Sequence, residues 1–229
     1  MNNARIEPAQ DRRTLAESIT ERVRSDIIKG VFKPGDRLMM EVLKERYGTS
    51  MSPLREALAG LAAEQFITSE RHKGYQVAQL TRADLDDLLE TRKLLEADIA
   101  RLSLRHGDEV WESKVIAAFH QLSHTERGMI ESGARGDREW ELRNAAFHDA
   151  ISAACPLRWL KHLRAQVFMK AQRYRVLAWS RLPDPQTVAD EHREIFEATM
   201  ARDENRLIAA INVHIDNVAL YAREVIPAE

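Results

Sequence analysis

The sequence changes character near residue 80, and this change limits the possible folds more than any other feature. Glycine and proline cluster before it, in turns such as Pro34-Gly35, and strand-like sequence appears only in this part of the chain. After Thr81 the apolar residues recur at helical spacing. The helix starts predicted there are Thr81, Asp108, Asp137, Pro156, Asp184-Pro185 and Asp203. We therefore predict a mainly α protein with two domains, residues 1–80 and residues 81–229, the second an all-helical antiparallel bundle.

The segment before residue 80 predicts three helices and a β-hairpin. The first helix begins at a capping box, Thr14-Leu-Ala-Glu17, and the second covers residues 40–47. Ser52 is the predicted cap of the third helix, with Pro53 in its first turn. The stretch FKPGDRL is interpreted as a turn, and the two strands of the hairpin are predicted over residues 66–69 and 75–80. This order is typical of a winged helix-turn-helix.

A winged helix-turn-helix predicts DNA binding through its third helix and its wing. The tight turn Gly48-Thr49-Ser50 sets that helix at a steep angle, so that its first turn faces a groove. Ser50 and Ser52 are short donors suited to phosphates, and Arg55 can reach a guanine edge. The basic hairpin tip, residues 71–74, suits the minor groove. The alternative for Arg55 is an ordinary solvated arginine.

Composition and charge narrow the class of protein without defining it. The chain has 229 residues, 31% of them charged, with a net charge of −2 and a single cysteine, which suits a reducing compartment. No apolar run is long enough to span a membrane, and the N-terminus lacks the apolar core of a signal peptide. We therefore expect a cytoplasmic protein with no membrane partner.

Three histidines lie in apolar stripes of three different predicted helices. His148 follows Asn144 by one turn in RNAAFHDAIS, while His192 and His214 each align with aliphatic residues of their own helices. A buried imidazole without a partner costs about 1–3 kcal/mol, so each needs one. Each could be a core histidine bound to a carbonyl. Alternatively, all three converge on one divalent ion, with Asn144 adding an oxygen ligand.

The N-terminal segment resembles a known family of DNA-binding proteins. The stretches IIKGVFKPGDRL, SPLREALAGLAAEQFI and KGYQVA look like the DNA-binding domain of the GntR family of bacterial transcription regulators. The matching positions Arg37, Arg55, Lys73 and Gly74 are the DNA contacts that this resemblance implies. Met51 departs from it, because the family often has an arginine there.

Residues 81–225 resemble the all-helical ligand-binding domain called FCD, of the FadR subfamily. The resemblance implies a divalent metal ion (Zn, Ni or Mn) held by Asn144, His148, His192 and His214, with Asn144 standing where metal-binding members have aspartate. It also implies an acidic effector reached by Arg92, with Arg173 and Arg175 as further candidates. DREWELRNAAFHDAI and QRYRVLAW look closest to repressors that respond to glutarate and other short-chain acids.

Taken together, the sequence predicts a homodimeric transcription regulator, a repressor that a small carboxylate releases from a double-stranded DNA operator. Taken alone, Arg92 is better explained as a surface residue that forms ion pairs with its neighbours. The histidines with Asn144 could also bind an effector directly, without metal. Two rival functions use the same histidines: a metal-dependent enzyme, and a sensor of metal alone. The enzyme is disfavoured because no acidic residue stands at a motif spacing that would make it a general base.

Overall fold

The computed structural model describes residues 14–70, 74–134, 136–178 and 184–226. Over these residues the chain forms two compact units that divide between Gln79 and Leu80. The elements of the first unit are α1 (Leu15–Ile28), β1 (Arg37–Leu38), α2 (Met40–Tyr47), α3 (Met51–Ala63), β2 (Ile67–Glu70) and β3 (Gly74–Val77). Those of the second are α4 (Arg82–His106), α5 (Glu109–Ser132), α6 (Arg138–Ser152), α7 (Arg158–Leu177), α8 (Pro185–Met200) and α9 (Glu204–Val225).

The first unit is a winged helix-turn-helix, as predicted. The capping box at the start of α1 is confirmed, because the Glu17 amide donates to the Thr14 hydroxyl at 3.1 Å and the Glu17 carboxylate accepts from the Thr14 amide at 2.7 Å. α1 packs against α3, with Ile19 and Leu58 fully buried. Gly48 ends α2 with a φ of 62°, a left-handed conformation that glycine adopts without a steric penalty. Gly48 therefore allows the tight turn that precedes α3.

Three details of this unit differ from the sequence prediction. α3 begins at Met51 behind Ser50, so Ser52 is not its cap; an extended backbone at Ser50 lets the helix start one residue before the Ser-Pro pair. The stretch predicted as a turn contains a strand, β1, which pairs with β3 so that the antiparallel sheet has the order β1-β3-β2. The third difference is that β3 ends at Val77, three residues before the predicted end, where the chain turns toward α4.

The second unit is a bundle of helices around one apolar core, as predicted. α4 packs against α7 and α9, α5 packs against α6 and α8, and α8 packs against α9. The starts predicted at Thr81, Asp108, Asp137, Asp184 and Asp203 are confirmed, because each of these side chains accepts a backbone N–H of its helix. The start predicted at Pro156 lies two residues too early, since α7 begins at Arg158 behind Leu157.

Among the described residues, no helix has an apolar stretch of the length needed to cross a membrane.

Candidate functional site

The three histidines meet in the interior of the helical unit. His148 on α6, His192 on α8 and His214 on α9 are each 4% exposed or less. Their ring centroids are 5.6 Å apart for His148 and His192, 5.3 Å for His148 and His214, and 4.7 Å for His192 and His214. One ring nitrogen from each lies within 4.8 Å of the other two. Three imidazoles at this separation can be ligands of a single ion.

Two carboxylates orient two of these rings. Glu126 of α5 lies 2.6 Å from Nδ1 of His192, and Glu191 of α8 lies 2.7 Å from Nδ1 of His214. A carboxylate that accepts from Nδ1–H leaves Nε2 as the free base, which is the arrangement usual for metal-bound histidine. Nε2 of His192 has no hydrogen-bond partner among the described residues, and neither has Nε2 of His148. Sequence reasoning did not find Glu126 or Glu191.

Asn144 lies one turn before His148 on α6 and is 1% exposed. Within the described part of the chain, neither its carbonyl oxygen nor its amide nitrogen has a hydrogen-bond partner. Buried polar atoms are almost always partnered, and leaving one unpartnered costs about 1–3 kcal/mol. The amide therefore has both an acceptor and a donor available for a ligand beside His148.

His148 and His214 are neutral at physiological pH. Burial lowers the pKa of His148 well below 6.5, and the neighbouring His214 and His192 lower it further. Burial also lowers the pKa of His214 to about 4, although its hydrogen bond to Glu191 opposes this shift. A neutral imidazole is the form that coordinates a metal ion or accepts a hydrogen bond. No protons need to be removed from these two rings before a ligand binds.

Three buried arginines surround Phe168, next to the histidines. The guanidinium carbons of Arg92, Arg164 and Arg175 lie 4.8, 5.1 and 5.1 Å from the centre of the Phe168 ring, and this ring is 5.8 Å from that of His148. All three side chains are 4% exposed or less. The alternative that Arg92 is a surface residue is therefore wrong. We call these three residues the arginine cluster.

Carboxylates contact the arginine cluster but leave some of its donors without a hydrogen bond. Arg175 binds Glu141 through Nε at 2.9 Å, and Arg164 binds Glu96 at 2.9 Å and Asp149 at 2.6 Å. Arg92 shares Glu96, at the longer distance of 3.6 Å. Nε of Arg92 and one terminal nitrogen of Arg164 have no hydrogen-bond partner among the described residues. These donors are available to an anion, which a guanidinium binds well.

Arg92 remains charged despite its burial. Burial lowers its pKa to about 10; Glu96 opposes this shift, whereas Arg175 and Arg164 add to it. Because the three guanidiniums repel one another, an anion bound among them would lower the electrostatic energy of this region.

Two of the three predicted effector arginines belong to this cluster and one does not. Arg92 and Arg175 lie in it. Arg173 is buried elsewhere on α7, where burial lowers its pKa and the charge of Asp84 opposes that shift. Two residues along a helix correspond to about 200°, so Arg173 and Arg175 point to different sides. The residue that sequence reasoning missed is Arg164, which precedes Phe168 by four residues and so lies on the same face of α7.

Most of the residues predicted to contact DNA lie on the surface of the winged helix. The exposed ones are Arg37, Ser50, Ser52, Arg55 and Gly74. Thr49 is half-buried, and its hydroxyl has no partner among the described residues. Lys73 lies outside the described residues. A row of exposed short donors with one long arginine at the start of α3 suits contact with phosphates and a base edge.

A winged helix-turn-helix defines a DNA-binding protein, and in this chain a helical unit with a buried polar cluster follows it. Residues 15–77 match the family model described as "Bacterial regulatory proteins, gntR family", and residues 87–217 match the FCD domain. The chain belongs to the GntR family and carries an FCD domain. It is a DNA-binding transcription regulator and not an enzyme, so the metal-dependent enzyme considered from the sequence is wrong.

Relatives resemble the chain over nearly its full length. The "HTH-type transcriptional repressor GlaR" of Escherichia coli (strain K12) is 36% identical over 84% of this chain and 89% of its own length. The "Uncharacterized HTH-type transcriptional regulator BphR" of Paraburkholderia xenovorans (strain LB400) is 30% identical over 95% of this chain and 89% of its own. Among solved structures, E. coli McbR/YncC has the same fold, with a TM-score of 0.76, 18% identity, and coverage of 93% of this chain and 99% of that one.

Replacing Arg55 should weaken binding to the operator more than binding to other DNA. The operator is first obtained by selection from random double-stranded DNA, and binding is measured by fluorescence anisotropy. If Arg55 reads a base edge, Arg55→Ala should cost about 1–3 kcal/mol on the selected operator. Lys73→Ala should weaken binding to all sequences alike and flatten the salt dependence.

Arg127→Ala is the matched control, because Arg127 is an exposed arginine of α5 in the other unit. It should bind like the unaltered protein. Undiminished binding of the selected operator by both Arg55→Ala and Lys73→Ala would contradict the placement of α3 and the wing against DNA.

Proposed function

We propose that the protein is a repressor that leaves its operator when a small organic acid binds in the helical unit. The observation that carries this proposal is the adjacency of the three histidines and the arginine cluster, which meet across Phe168. Buried guanidinium donors without partners recognise an anion, and a carboxylate is the common organic one. The relatives named as repressors, GlaR and RspR of E. coli, support the direction of regulation.

The histidine site fits a divalent metal ion. His148, His192 and His214 would hold it through neutral imidazole nitrogens, and Asn144 would add its carbonyl oxygen. Two features support this fit: buried nitrogen and oxygen atoms that have no partner among the described residues, and the carboxylates that orient two of the rings. Imidazole and oxygen ligands suit Zn, Ni or Mn. When bound, the ion supplies a Lewis-acidic position that can accept a carboxylate oxygen.

A sensor of metal alone is the less favoured function. The arginine cluster has no role in holding a cation, and its charge repels one. Burying several guanidiniums is expensive unless something compensates them. Glu96, Glu141 and Asp149 bind these arginines, yet Nε of Arg92 and one terminal nitrogen of Arg164 have no hydrogen-bond partner among the described residues. An anionic ligand accounts for these arginines, whereas a metal ion by itself does not.

Helix α4 connects the proposed effector site to the DNA-binding domain along the chain. It carries Arg92 and begins at Arg82, five residues after the end of β3. Its first turn is held by the other helices of the site: the Tyr174 hydroxyl of α7 donates to Asp84, and the Arg82 guanidinium donates to the Ile226 carbonyl that follows α9. An acid that binds Arg92 and Arg164 therefore acts on the helix that leads out of the wing.

The mechanism we propose is a shift between two arrangements of the domains. The acid binds more tightly to the arrangement that no longer matches the operator, so operator affinity falls by that difference. A coupling of about 1–3 kcal/mol changes the affinity by about 5- to 150-fold. The same coupling makes operator DNA weaken the binding of the acid.

Release of the operator by an acid tests this proposal. The protein, bound to its selected operator and supplied with zinc, is titrated with acetate, lactate, succinate and glutarate. At least one acid should weaken operator binding by about 5- to 150-fold. His148→Ala should still bind the operator but respond much less, because His148 lies in the effector site and not in the winged helix.

The matched control is His162→Ala, which replaces an exposed histidine of α7 and should respond like the unaltered protein. If none of the acids changes operator affinity while zinc alone does, the protein senses metal and the proposed effector is wrong.

We further propose that the protein is a homodimer that binds a pseudo-palindromic operator. One winged helix makes too few base contacts for tight binding, and palindromic sites require two-fold symmetric proteins. The helical unit also has large apolar side chains at its surface, such as Leu94 at 72% and Trp159 at 66% exposed. The long helices after Thr81 would supply most of the interface.

Light scattering at micromolar concentration should give twice the mass of the chain, 26.2 kDa, and the complex with the selected operator should contain two chains. A monomer that binds its operator singly would contradict the dimer.

A further inference from the structure

A buried arginine of α1 binds the residue that ends α3. Arg24 is 8% exposed, and its guanidinium donates to both carboxylate oxygens of Glu64, at 2.8 Å from Nη2 to Oε1 and 3.0 Å from Nε to Oε2. Its other terminal nitrogen lies 2.6 Å from Glu21 of its own helix. A bidentate pair fixes the relative direction of the two side chains as well as their distance. Arg24 therefore holds the end of α3 in a defined position against α1.

The chain that leads from Glu64 into the wing is held in one conformation. Glu64 is the C-cap of α3, and the amides of Gln65 and Phe66 donate to carbonyls of the last helical turn at 3.0 and 2.9 Å. These two bonds are those of a Schellman motif. Gln65 has a φ of 62°, a left-handed conformation that a residue with a side chain adopts only at a cost. The guanidinium carbon of Arg24 also lies 5.9 Å from the centre of the buried Phe66 ring, and β2 begins at the next residue.

The residues predicted to contact DNA lie at the other end of α3 from this ion pair. α3 has 13 residues. A helix of that length spans about 20 Å, so a tilt of about 5° at the Glu64 end displaces its start by about 2 Å. Hydrogen bonds to a base edge do not survive a displacement of that size. The direction in which Glu64 is held therefore decides whether Arg55 can reach a base.

We propose that Arg24 is a positioning residue for operator recognition. Paired with Glu64, it sets the direction of α3 and the start of the wing relative to α1, and it does so without touching DNA. The inference concerns the winged helix and no part of the helical unit, so it is independent of the acid and the metal ion proposed above.

The test compares the affinity for the selected operator with that for a random duplex of the same length. Arg24→Met keeps an apolar side chain over Phe66 and removes the guanidinium, whereas Glu64→Gln places an N–H donor against it. Binding of the full chain is measured by fluorescence anisotropy, at a temperature at which circular dichroism shows each variant folded. In both variants the preference for the operator should fall by about 5- to 150-fold, the discrimination that one base pair typically contributes.

Affinity for the random duplex and its salt dependence should stay the same, because no contact to a phosphate is lost. The variant that combines Arg24→Met with Glu64→Gln should lose no more preference than either single variant, since both changes break the same pair. Glu45→Gln is the matched control, because it removes one negative charge from an exposed position of α2. It should keep the preference of the unaltered protein.

An unchanged preference in Arg24→Met and Glu64→Gln would overturn the inference. So would equal losses on the operator and the random duplex, which would indicate a phosphate contact, and additive losses in the combined variant, which would show that the two side chains act separately. If Arg24→Met does not fold, Glu64→Gln decides the question, because the Glu64 side chain is 39% exposed and its replacement has nearly the same shape.

Discussion

The helical unit depends on one constraint: polar groups buried in an apolar core must have partners. Three imidazoles and the three guanidiniums of the arginine cluster lie inside this bundle, and many of the groups around them compensate for that burial. Carboxylates orient His192 and His214, and other carboxylates pair with Arg164 and Arg175. Among the described residues of this unit, the buried polar atoms without a partner include those of Asn144, His148, His192, Arg92 and Arg164, which lie together, besides atoms of Glu96, Ser103 and Asn212. We assign the unpartnered atoms that lie together near the histidines to a ligand-binding site.

This pattern separates the charged groups that are paired within the protein from those that we assign to ligand binding. A buried ion pair such as Arg175 with Glu141 is internally satisfied, so removing one partner would leave an unpaired charge and cost stability. Arg92 is different, because its carboxylate is distant and shared with Arg164. We propose that its weakly paired charge, next to the neutral rings of His148 and His214, makes this region suited to a cation and an anion together.

The sequence predicts much of the fold and part of the site because both depend on periodicity. Thr14, Asp108 and Asp137 begin helices through local contacts, so the sequence shows them. β1 was missed because two residues carry no strand pattern and depend on pairing with β3, nearly forty positions later. Glu126 was missed for a similar reason. It is 66 residues from His192 in the chain, and only the packing of α5 against α8 brings the two together.

The proposed metal site requires that the three imidazoles bind one ion. X-ray absorption at the zinc edge measures the number and type of the ligands around that ion. With equimolar zinc and glutarate, the account predicts imidazole scattering from three nitrogens at about 2.0–2.1 Å, completed by oxygen ligands. His148→Ala should lose one imidazole from this shell or fail to hold the ion. A spectrum without imidazole scattering, or one with a sulfur ligand at about 2.3 Å from Cys155, would contradict the account.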